Sequence, residues 1–379
     1  MTRTVIAAAV LVGGVTLSTA LAQQAPTPPP AAPQAGQGRG AAPPDGAQHG
    51  RGGRGGGGGG GSDPGQSNEA AGVAIDRFMG YPTDNPAHFS HGGLITRAIL
   101  SAGDPNAVGP KGAVLEYRKQ VAVATLAPRN STPLMALPDQ YLFYVTAGTG
   151  RLEDGKQFWD LRHNIAVLIP PNVQRRFVNA SDEPLTMVML QWEPSAPARA
   201  DILVRDVDRL GFCEENAHWG NMSKCIFRGP DGLLGNERMY LVMLQPFTWS
   251  APHTHGPGTE EVWVKLTPGD GIALLGSQMR DMPQYAAYLA PPTGFTTHGQ
   301  INTAKDRVEG WLYIARGPAG GGRGGAPAPA AAPTPANPSA APPAAAAAPN
   351  QGRGGRGNPN LFTDAATIDQ ATVKGRPIR

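Results

Sequence analysis

Two histidines stand one residue apart, just before a turn and a pair of glutamates. They are His253 and His255, and Glu260 and Glu261 open the apolar run that follows the turn at 256–259. In a β-strand, residues i and i+2 point to the same face, so the two imidazoles can face one centre. The Gly/Pro-rich turn reverses the chain and brings a carboxylate back toward them. Imidazole and carboxylate together suit Fe, Mn, Zn, Ni or Cu, so the stretch predicts a site for one divalent transition metal ion.

A third histidine follows in a second stretch rich in Pro and Gly. His298 stands four residues before Asn302. The first stretch, H-x-H followed by Glu, resembles the first motif of the cupin superfamily, and the second resembles the H-x-x-x-N end of the other cupin motif, with one extra residue after Gly294. The resemblance implies an antiparallel jelly-roll barrel with a metal inside. It also implies the metal ligands, which would be His253, His255, Glu260 and His298.

The choice between the two glutamates depends on the alternation of the strand that they open. Period-2 alternation places Glu260 on one face with Val262 and Val264, and Glu261 on the other face with Lys265. A lysine seldom points into a closed barrel without a partner. We therefore prefer Glu260 as the acidic ligand, and Glu261 stays the alternative because the spacing of the family motif is elastic.

The first 22 residues have the pattern of a secretory signal. A short basic start precedes an apolar segment, Val5 to Ala22, that ends in the A-x-A sequence of residues 20–22. An uncleaved anchor is the alternative, but the segment is barely long enough to span a membrane. We expect an exported protein, periplasmic or secreted, with no transmembrane span after removal of the signal.

Segments of Gly, Pro and Ala flank the folded region. Residues 23–70 and 317–379 contain too few large apolar side chains to offset the entropy of ordering, so we predict a disordered linker and a disordered tail. The last residues, 361–379, carry some apolar side chains and either dock or stay free. Arg-Gly repeats occur in both segments, but export and a net charge of only +3 argue against a nucleic-acid partner.

Between these segments, strand-like runs with turn signals predict an all-β fold. They are 115–126, 141–146, 165–169, 185–192, 239–247, 261–266, 285–289 and 310–315. One short helix is predicted at 69–79. With the family resemblance, the runs indicate two cupin-type barrels, a bicupin, with an N-terminal barrel at 71–200 and a C-terminal metal-binding barrel at 201–316.

The N-terminal unit lacks the metal ligands. Where the family has histidines and an acid, this sequence has Met135, Leu137, Gln140 and Arg175. Because arginine does not deprotonate, we expect a metal-free barrel that serves as a scaffold or as half of an interface. The alternative is that Arg175 points into the barrel and binds an anionic group by a forked contact.

The chain has two cysteines, Cys213 and Cys225. In an exported chain such a pair is predicted to form a disulfide. His218, between them, is read as a loop residue, and Asn302 as a residue that fixes a turn. Gln278, Met279 and Tyr285 are candidates to line the metal pocket.

A cage of three histidines and one carboxylate leaves coordination positions open on a six-coordinate ion. The resemblance implies several outcomes, namely a dioxygenase, a decarboxylase, a lyase, an isomerase or a non-catalytic binder, and our first hypothesis is a metal-dependent enzyme of the oxygenase or lyase type, acting on a small organic molecule. The alternatives are a non-catalytic small-molecule or sugar binder of the cell envelope and a structural module, because fold does not fix function. No catalytic residue beyond the ligands is assigned. A small-molecule ligand is the expected partner, and a homodimer is a possible assembly.

Overall fold

The computed structural model of the chain describes residues 73–193, 199–213, 221–233, 236–269, 271–317 and 369–378. Nearly all regular structure in these ranges is β, which confirms the all-β prediction. The predicted signal (1–22) and linker (23–70) lie outside the described residues, as does His218, and they stay predictions. No helix within the described ranges is long and apolar enough to cross a membrane.

Strands of the N-terminal half come first. They are β1 (Met79–Gly80), β2 (His88–Ser90), β3 (Leu94–Ala102), β4 (Ala113–Leu115), β5 (Gln120–Leu126), β6 (Asn130–Ser131), β7 (Gln140–Ala147), β8 (Gly150–Glu153), β9 (Gln157–Leu161), β10 (Ile165–Ile169), β11 (Arg176–Asn179), β12 (Leu185–Trp192) and β13 (Leu203–Asp206). The later strands are β14 (Asn221–Arg228), β15 (Arg238–Leu244), β16 (Glu260–Lys265), β17 (Gly271–Leu275), β18 (Gln278–Met282), β19 (Ala287–Leu289), β20 (His298–Ile301), β21 (Glu309–Arg316) and β22 (Arg376–Pro377).

Helical structure in the described ranges is limited to short turns. The 3₁₀ turns span Ile75–Phe78, Val207–Arg209 and Gly229–Asp231, and one further turn lies at 369–371. The helix predicted at 69–79 is therefore reduced, in its described part, to one 3₁₀ turn followed by β1.

The first barrel is built from two sheets. The larger has the order β13-β10-β7-β12-β5-β3-β2, with β4 paired to β3, and the smaller has the order β22-β9-β8-β11-β6. All of these pairs are antiparallel except β3 with β4. The interior between the sheets is apolar and aromatic, with Phe143 and Phe177 in edge-to-face contact at 4.8 Å between ring centroids.

The second barrel repeats this plan with fewer strands. Its larger sheet has the order β1-β19-β16-β21-β15-β14, and its smaller sheet the order β18-β17-β20. The interior contains buried Trp263, Tyr288 and Tyr313, together with Leu275 from the smaller sheet. The strands that carry the predicted metal ligands, β16 and β20, therefore lie on opposite walls of one barrel.

The two large sheets pack against each other, so each is buried on both faces. In β7, Phe143 faces the interior of the first barrel, whereas Leu142 belongs to a cluster shared by both barrels. In β16, Trp263 faces the interior of the second barrel and Val262 the shared cluster. This double burial explains why these strands read as continuous apolar runs instead of alternating ones.

One buried asparagine in each barrel binds backbone carbonyl oxygens in a similar way. Asn302 Nδ2 donates to three carbonyl oxygens at 2.9–3.1 Å, those of Leu244, Gln245 and Arg307. Asn179 Nδ2 donates to three carbonyl oxygens at 2.8–3.2 Å, those of Leu126, Ala127 and Glu183. Both side chains are buried. The turn-fixing role read for Asn302 thus recurs in the first barrel at Asn179.

The predicted boundaries between segments need two corrections. Strand β1 lies in the predicted N-terminal unit but pairs with β19 of the second barrel. Its Gly80 also lies close to β3 of the first barrel, where an added Cβ would be 2.0 Å from the carbonyl oxygen of Ile99. Residues 369–378 belong to the predicted disordered tail, yet β22 pairs with β9, and Trp159 Nε1 donates to Val373 O at 3.1 Å. A disordered tail therefore does not describe 369–378, which dock on the first barrel, the alternative that the sequence left open for 361–379.

The predicted disulfide between Cys213 and Cys225 is confirmed. Their Cα atoms are 5.9 Å apart, and Cys213 lies beside β14 through a backbone bridge to Ser223. Both half-cystines are buried in the interior cluster of the second barrel.

Candidate metal centre

Four side chains converge in the second barrel: His253, His255, Glu261 and His298. One donor atom from each lies within 4.8 Å of every other. Oε2 of Glu261 lies 2.6 Å from Nε2 of His255, and Oε1 lies 2.6 Å from Nε2 of His298. The Nε2 atoms of His253 and His255 are 3.2 Å apart. Two donors bound to one ion at roughly 2 Å each lie at most roughly 4 Å apart, so a contraction of under about 1 Å would seat an ion.

Backbone pairing positions the histidines. His253 and His298 form an antiparallel bridge, in which His253 N donates to His298 O at 3.2 Å and His298 N donates to His253 O at 2.9 Å. His298 also begins β20, which pairs with β17. His255 follows His253 by two residues, and both rings face His298. The i, i+2 reasoning from the sequence therefore places both imidazoles at one centre.

The ring of His253 is held in one tautomer. Its Nδ1 lies 3.0 Å from the carbonyl oxygen of Ala251. Since a carbonyl oxygen only accepts, Nδ1 carries the hydrogen and Nε2 presents its lone pair toward the cluster. This is the arrangement by which second partners orient histidine ligands in metal sites.

The innermost donors have buried atoms that the described residues leave unsatisfied. Glu261 and His298 are each 1% exposed. Glu261 Oε2 and His298 Nε2 have no hydrogen-bond partner of acceptable alignment among the described residues, although Glu261 Oε2 lies 2.6 Å from His255 Nε2 and His298 Nε2 lies 2.6 Å from Glu261 Oε1. An ionised carboxylate buried in this way is costly unless a cation neutralises it. The donor set and its burial therefore fit a divalent metal ion.

Glu260, the preferred acid in the sequence reasoning, points away from the cluster. Its carboxylate accepts hydrogen bonds from Glu116 N at 2.5 Å and Tyr117 N at 2.7 Å, and it forms an ion pair with Arg118. The preference for Glu260 over the alternative Glu261 is therefore corrected: Glu261 is the carboxylate of the cluster.

The reason for the error is the lysine used to choose between the faces. Lys265 does point into the second barrel, where it is fully buried. It has partners there: Glu309 Oε1 lies 3.8 Å from its Nζ, and the carbonyl oxygen of Thr267 accepts from it at 2.9 Å. The alternation of β16 is as expected, but the metal-facing side is the one that carries the lysine.

His255 and the carboxylate of the cluster shift the pKa values of one another. Burial alone would raise the pKa of Glu261, but His298 and His255 outweigh burial and hold this pKa well below its usual value. Burial likewise acts to lower the pKa of His255, and the Glu261 carboxylate outweighs it, so the pKa of His255 is raised. The carboxylate is therefore ionised at neutral pH, as a metal ligand requires.

Around the four donors lie residues that the sequence reasoning missed. Trp263 Nε1 donates to Glu261 Oε1 at 2.7 Å, and Gln300 Nε2 donates to the hydroxyl of Tyr288. Burial, with Glu261 next in importance, raises the pKa of Tyr288 well above its usual value, so its phenol stays neutral. Trp263 follows the donor Glu261 by two residues on β16, and Gln300 follows the donor His298 by two residues on β20. That period was the signal available in the sequence.

Trp263→Phe removes the indole donor while keeping an aromatic ring in the barrel. Without this hydrogen bond the carboxylate is less well oriented, and we expect the affinity for a divalent metal to fall roughly 10- to 100-fold. Competition with a chromophoric chelator measures the change. Trp159→Phe in the first barrel is the matched control, since that indole donates to Val373 O, and it should leave affinity unaltered. Equal affinity in both variants would contradict the orienting role of Trp263.

The three residues read as pocket lining are not part of the cluster. Gln278 accepts a hydrogen bond from Arg280, and Met279 is 59% exposed. The hydroxyl of Tyr285 lies 2.9 Å from Thr146 Oγ1, at the contact between the barrels. Their positions on or near β18 and β19 gave no information about which wall of the barrel they face.

The first barrel has an equivalent place with different residues. Met135 and Arg175 form the bridge that corresponds to His253 and His298, with N–O distances of 3.0 and 2.8 Å. Leu142 of β7 pairs with Leu168 and Leu190.

That register is matched in the second barrel, where Val262 of β16 pairs with Leu289 and Ile314. Tyr141 therefore stands where the second barrel has Glu261. Gln140, which the sequence reasoning put in the place of the acid, stands where the second barrel has Glu260. It points toward the other barrel, with Nε2 donating to Gly232 O at 2.9 Å.

Comparisons with known proteins give the following similarities. A family model described as a cupin domain matches residues 122–191. A search of curated proteins finds no match. Among solved structures, AerE from Microcystis aeruginosa is 13% identical, with 63% of this chain and 98% of that chain covered and a TM-score of 0.47. Vicilin from Corylus avellana (hazelnut) is 10% identical, with 63% and 85% covered and a TM-score of 0.49. A deletion mutant of Bacillus subtilis oxalate decarboxylase is 12% identical, with 63% and 77% covered and a TM-score of 0.46.

Proposed function

We infer that the chain, in which residues 122–191 match the model of a cupin domain, is a bicupin-like member of the cupin superfamily, and we propose that its second barrel binds one divalent transition metal ion through His253, His255, Glu261 and His298. One observation carries the proposal: four donor atoms of the types that such ions prefer lie within 4.8 Å of one another, and the innermost two residues are buried. Fe, Mn, Zn, Ni and Cu all suit three imidazoles and one carboxylate.

Chemistry at this site would come from the ion, which, when bound, would supply Lewis acidity and open coordination positions for a substrate oxygen or for O₂. The protein contributes orientation and access. Trp263 and the His253–His298 bridge fix the donors. The side chain of His255 is 28% exposed and that of His298 only 1%, so a small molecule would approach from the side of His255. We propose a metal-dependent enzyme of the oxygenase or lyase type, acting on a small organic substrate.

Metal analysis of the purified full chain, followed by ligand binding, tests this proposal. We expect one ion per chain, and loss of that ion in the His253→Ala/His255→Ala variant. Azide or nitric oxide should then shift the absorption or paramagnetic resonance spectrum of the iron-loaded protein if a coordination position is open. Oxygen uptake with phenolic, keto-acid and sugar-acid substrates separates an oxygenase from a lyase. A chain that retains no metal under any loading condition would overturn the proposal.

A non-catalytic binding protein is the second candidate, and the composition of the cluster favours it. The single carboxylate of the cluster is a ligand, and the neighbouring phenol of Tyr288 has a pKa raised well above its usual value, so neither is suited to proton transfer near neutral pH. Binding of small organic ligands to the loaded protein, with no turnover across the panel, would support this candidate over the enzyme.

We also propose that the protein acts outside the cytoplasm, in the periplasm or after secretion. The apolar segment before Ala22 supports this, and the disulfide is compatible with it. Sequencing the N-terminus of protein recovered from the native exported fraction tests it. A mature chain that begins at Met1 would contradict cleavage. A homodimer stays a prediction.

A further inference from the structure

A buried arginine without a counter-charge lies in the first barrel. Arg175 is 1% exposed, yet its Nε and Nη2 have no hydrogen-bond partner within the described parts of the chain. Its remaining terminal nitrogen, Nη1, donates to the carbonyl oxygen of Val173 at 3.2 Å. A guanidinium buried in this way loses its hydration and gains little in return, which is costly unless an anion pairs with it.

The acids near Arg175 do not supply that anion. Asp139 influences the guanidinium electrostatically, but its carboxylate is taken by Lys119 Nζ at 3.1 and 3.2 Å and by Gln191 Nε2 at 2.6 Å. Cζ of the guanidinium lies over the ring of Tyr141, 4.8 Å from the ring centroid. This contact supplies no hydrogen bond to Nε or Nη2, which keep no partner among the described residues.

The unsatisfied edge of Arg175, formed by Nε and Nη2, is the edge with which another arginine of this protein binds a carboxylate. Arg129 binds Asp182 with the same two nitrogens, Nε to Oδ1 at 2.8 Å and Nη2 to Oδ2 at 2.9 Å. These parallel contacts are the usual forked recognition of a carboxylate by arginine. In Arg175 the same fork is buried inside a barrel instead of exposed on a loop.

A second buried polar atom beside the same ring also lacks a partner among the described residues. His91 also contacts the Tyr141 ring, edge to face at 4.7 Å between centroids, and its Nε2 is buried without a partner among the described residues. Its Nδ1 lies 3.1 Å from Ser90 Oγ. When the hydroxyl donates to Nδ1, Nε2 carries a hydrogen and becomes a neutral donor.

We propose that the first barrel binds the carboxylate group of a small organic acid, held by the Nε–Nη2 edge of Arg175 and assisted by Nε2 of His91. The site occupies the place that the metal cluster has in the second barrel, since Arg175 corresponds to His298. It is independent of the metal: Met135 and Tyr141, at two other ligand positions, offer at most weak donors to an ion.

The charge balance supports an anionic ligand. Burial, with Arg175 as the second cause, lowers the pKa of His91 to about 3, so that ring is neutral at neutral pH. Burial lowers the pKa of Arg175 to about 10, so the guanidinium keeps its charge there. One positive charge therefore remains inside the barrel, and a monocarboxylate would neutralise it.

Titration of the full chain with acetate, propionate and benzoate, in EDTA and at ionic strength held constant with sodium chloride, tests the proposal. The side-chain Nε–H resonance of Arg175, identified by its loss in Arg175→Met, should shift with saturation. The affinity measured by calorimetry should fall at least about 10-fold in Arg175→Met, because charge-assisted forked contacts are lost. Arg129→Met is the matched control, and it should bind as the unmodified chain does.

A variant without metal ligands separates this site from the proposed metal centre. The His253→Ala/His255→Ala chain should bind the carboxylates unchanged, whatever becomes of the metal proposal. Three results would overturn the inference: no saturable shift with any of the acids, binding that survives Arg175→Met, or a shift that chloride alone reproduces at equal concentration. If Arg175→Met fails to fold, His91→Phe serves instead, and it should weaken the binding that calorimetry measures, whereas unchanged affinity in that variant would count against the site.

Discussion

Replacement of Glu261 by glutamine is expected to lower the affinity of the second barrel for a divalent metal by at least about 100-fold, since even residues that only orient ligands contribute 10- to 100-fold. The amide keeps the shape of the side chain but cannot neutralise a cation. It also removes the charge that lies 2.6 Å from both His255 and His298. Competition titration with a chromophoric chelator measures the affinity, and circular dichroism checks that the barrel is intact.

Glu260→Gln is the matched comparison because it alters the neighbouring residue on the opposite face of the same strand. Its carboxylate contacts Arg118 and the backbone near Tyr117, not the cluster. We expect this variant to bind metal as the unmodified chain does, within about threefold, although its stability falls. Loss of metal in Glu260→Gln with retention in Glu261→Gln would reverse the assignment of the acid.

The parts of the fold that the sequence predicts best are the central strands. The predicted runs 165–169 and 185–192 coincide with β10 and β12, because strands buried on both faces are continuously apolar. The hairpin of β8 and β9 and that of β17 and β18 were missed. Their residues mix charged and apolar types, and one face is exposed.

Strands that pair across long distances in sequence were beyond such reasoning. β1 is two residues long and pairs with β19, and β22 is equally short and pairs with β9. Neither strand has enough residues to show the alternation of apolar and polar side chains that predicts a strand. Their pairing depends on the finished surface of a barrel that forms elsewhere in the chain, so only the presence of apolar residues in the tail gave any indication.

The two errors about site residues share one cause. Glu260 was preferred over Glu261, and Gln140 was read in the place that Tyr141 occupies, so both readings were off by one residue on the strand. One residue turns a side chain from the interior of its own barrel to the contact with the other barrel. The sequence shows that the faces alternate, but with both faces buried it does not show which of them is the interior. The partner that makes Lys265 tolerable, Glu309, lies on β21.

The face that misled the sequence reasoning holds the two barrels together. Arg118 precedes β5 of the first barrel and forms ion pairs with Glu260 and Glu237 of the second barrel. The side chains of these three residues are at most 2% exposed. Trp192 Nε1 also donates to Glu237, at 3.1 Å. Burial is the main cause that raises the pKa of Glu237, with Arg118 opposing it. The Glu237 carboxylate therefore depends on the Arg118 guanidinium to remain buried as a charge.

Arg118→Met is expected to lower the free energy of unfolding by about 3–5 kcal/mol, because it leaves two buried carboxylates without their shared cation. Urea unfolding followed by tryptophan fluorescence measures this loss. Arg129→Met, which breaks an exposed pair, should cost at most about 1 kcal/mol.

The triple variant Arg118→Met/Glu237→Leu/Glu260→Gln distinguishes a missing cation from a missing side-chain volume. It removes the stranded charges as well as the guanidinium, so it should recover most of the stability lost in Arg118→Met. A triple variant as unstable as the single one would show that packing around Arg118, and not its charge, joins the barrels. Because Glu261 follows Glu260 directly on β16, the same measurement in the presence of metal also shows how far the contact between the barrels supports the metal cluster.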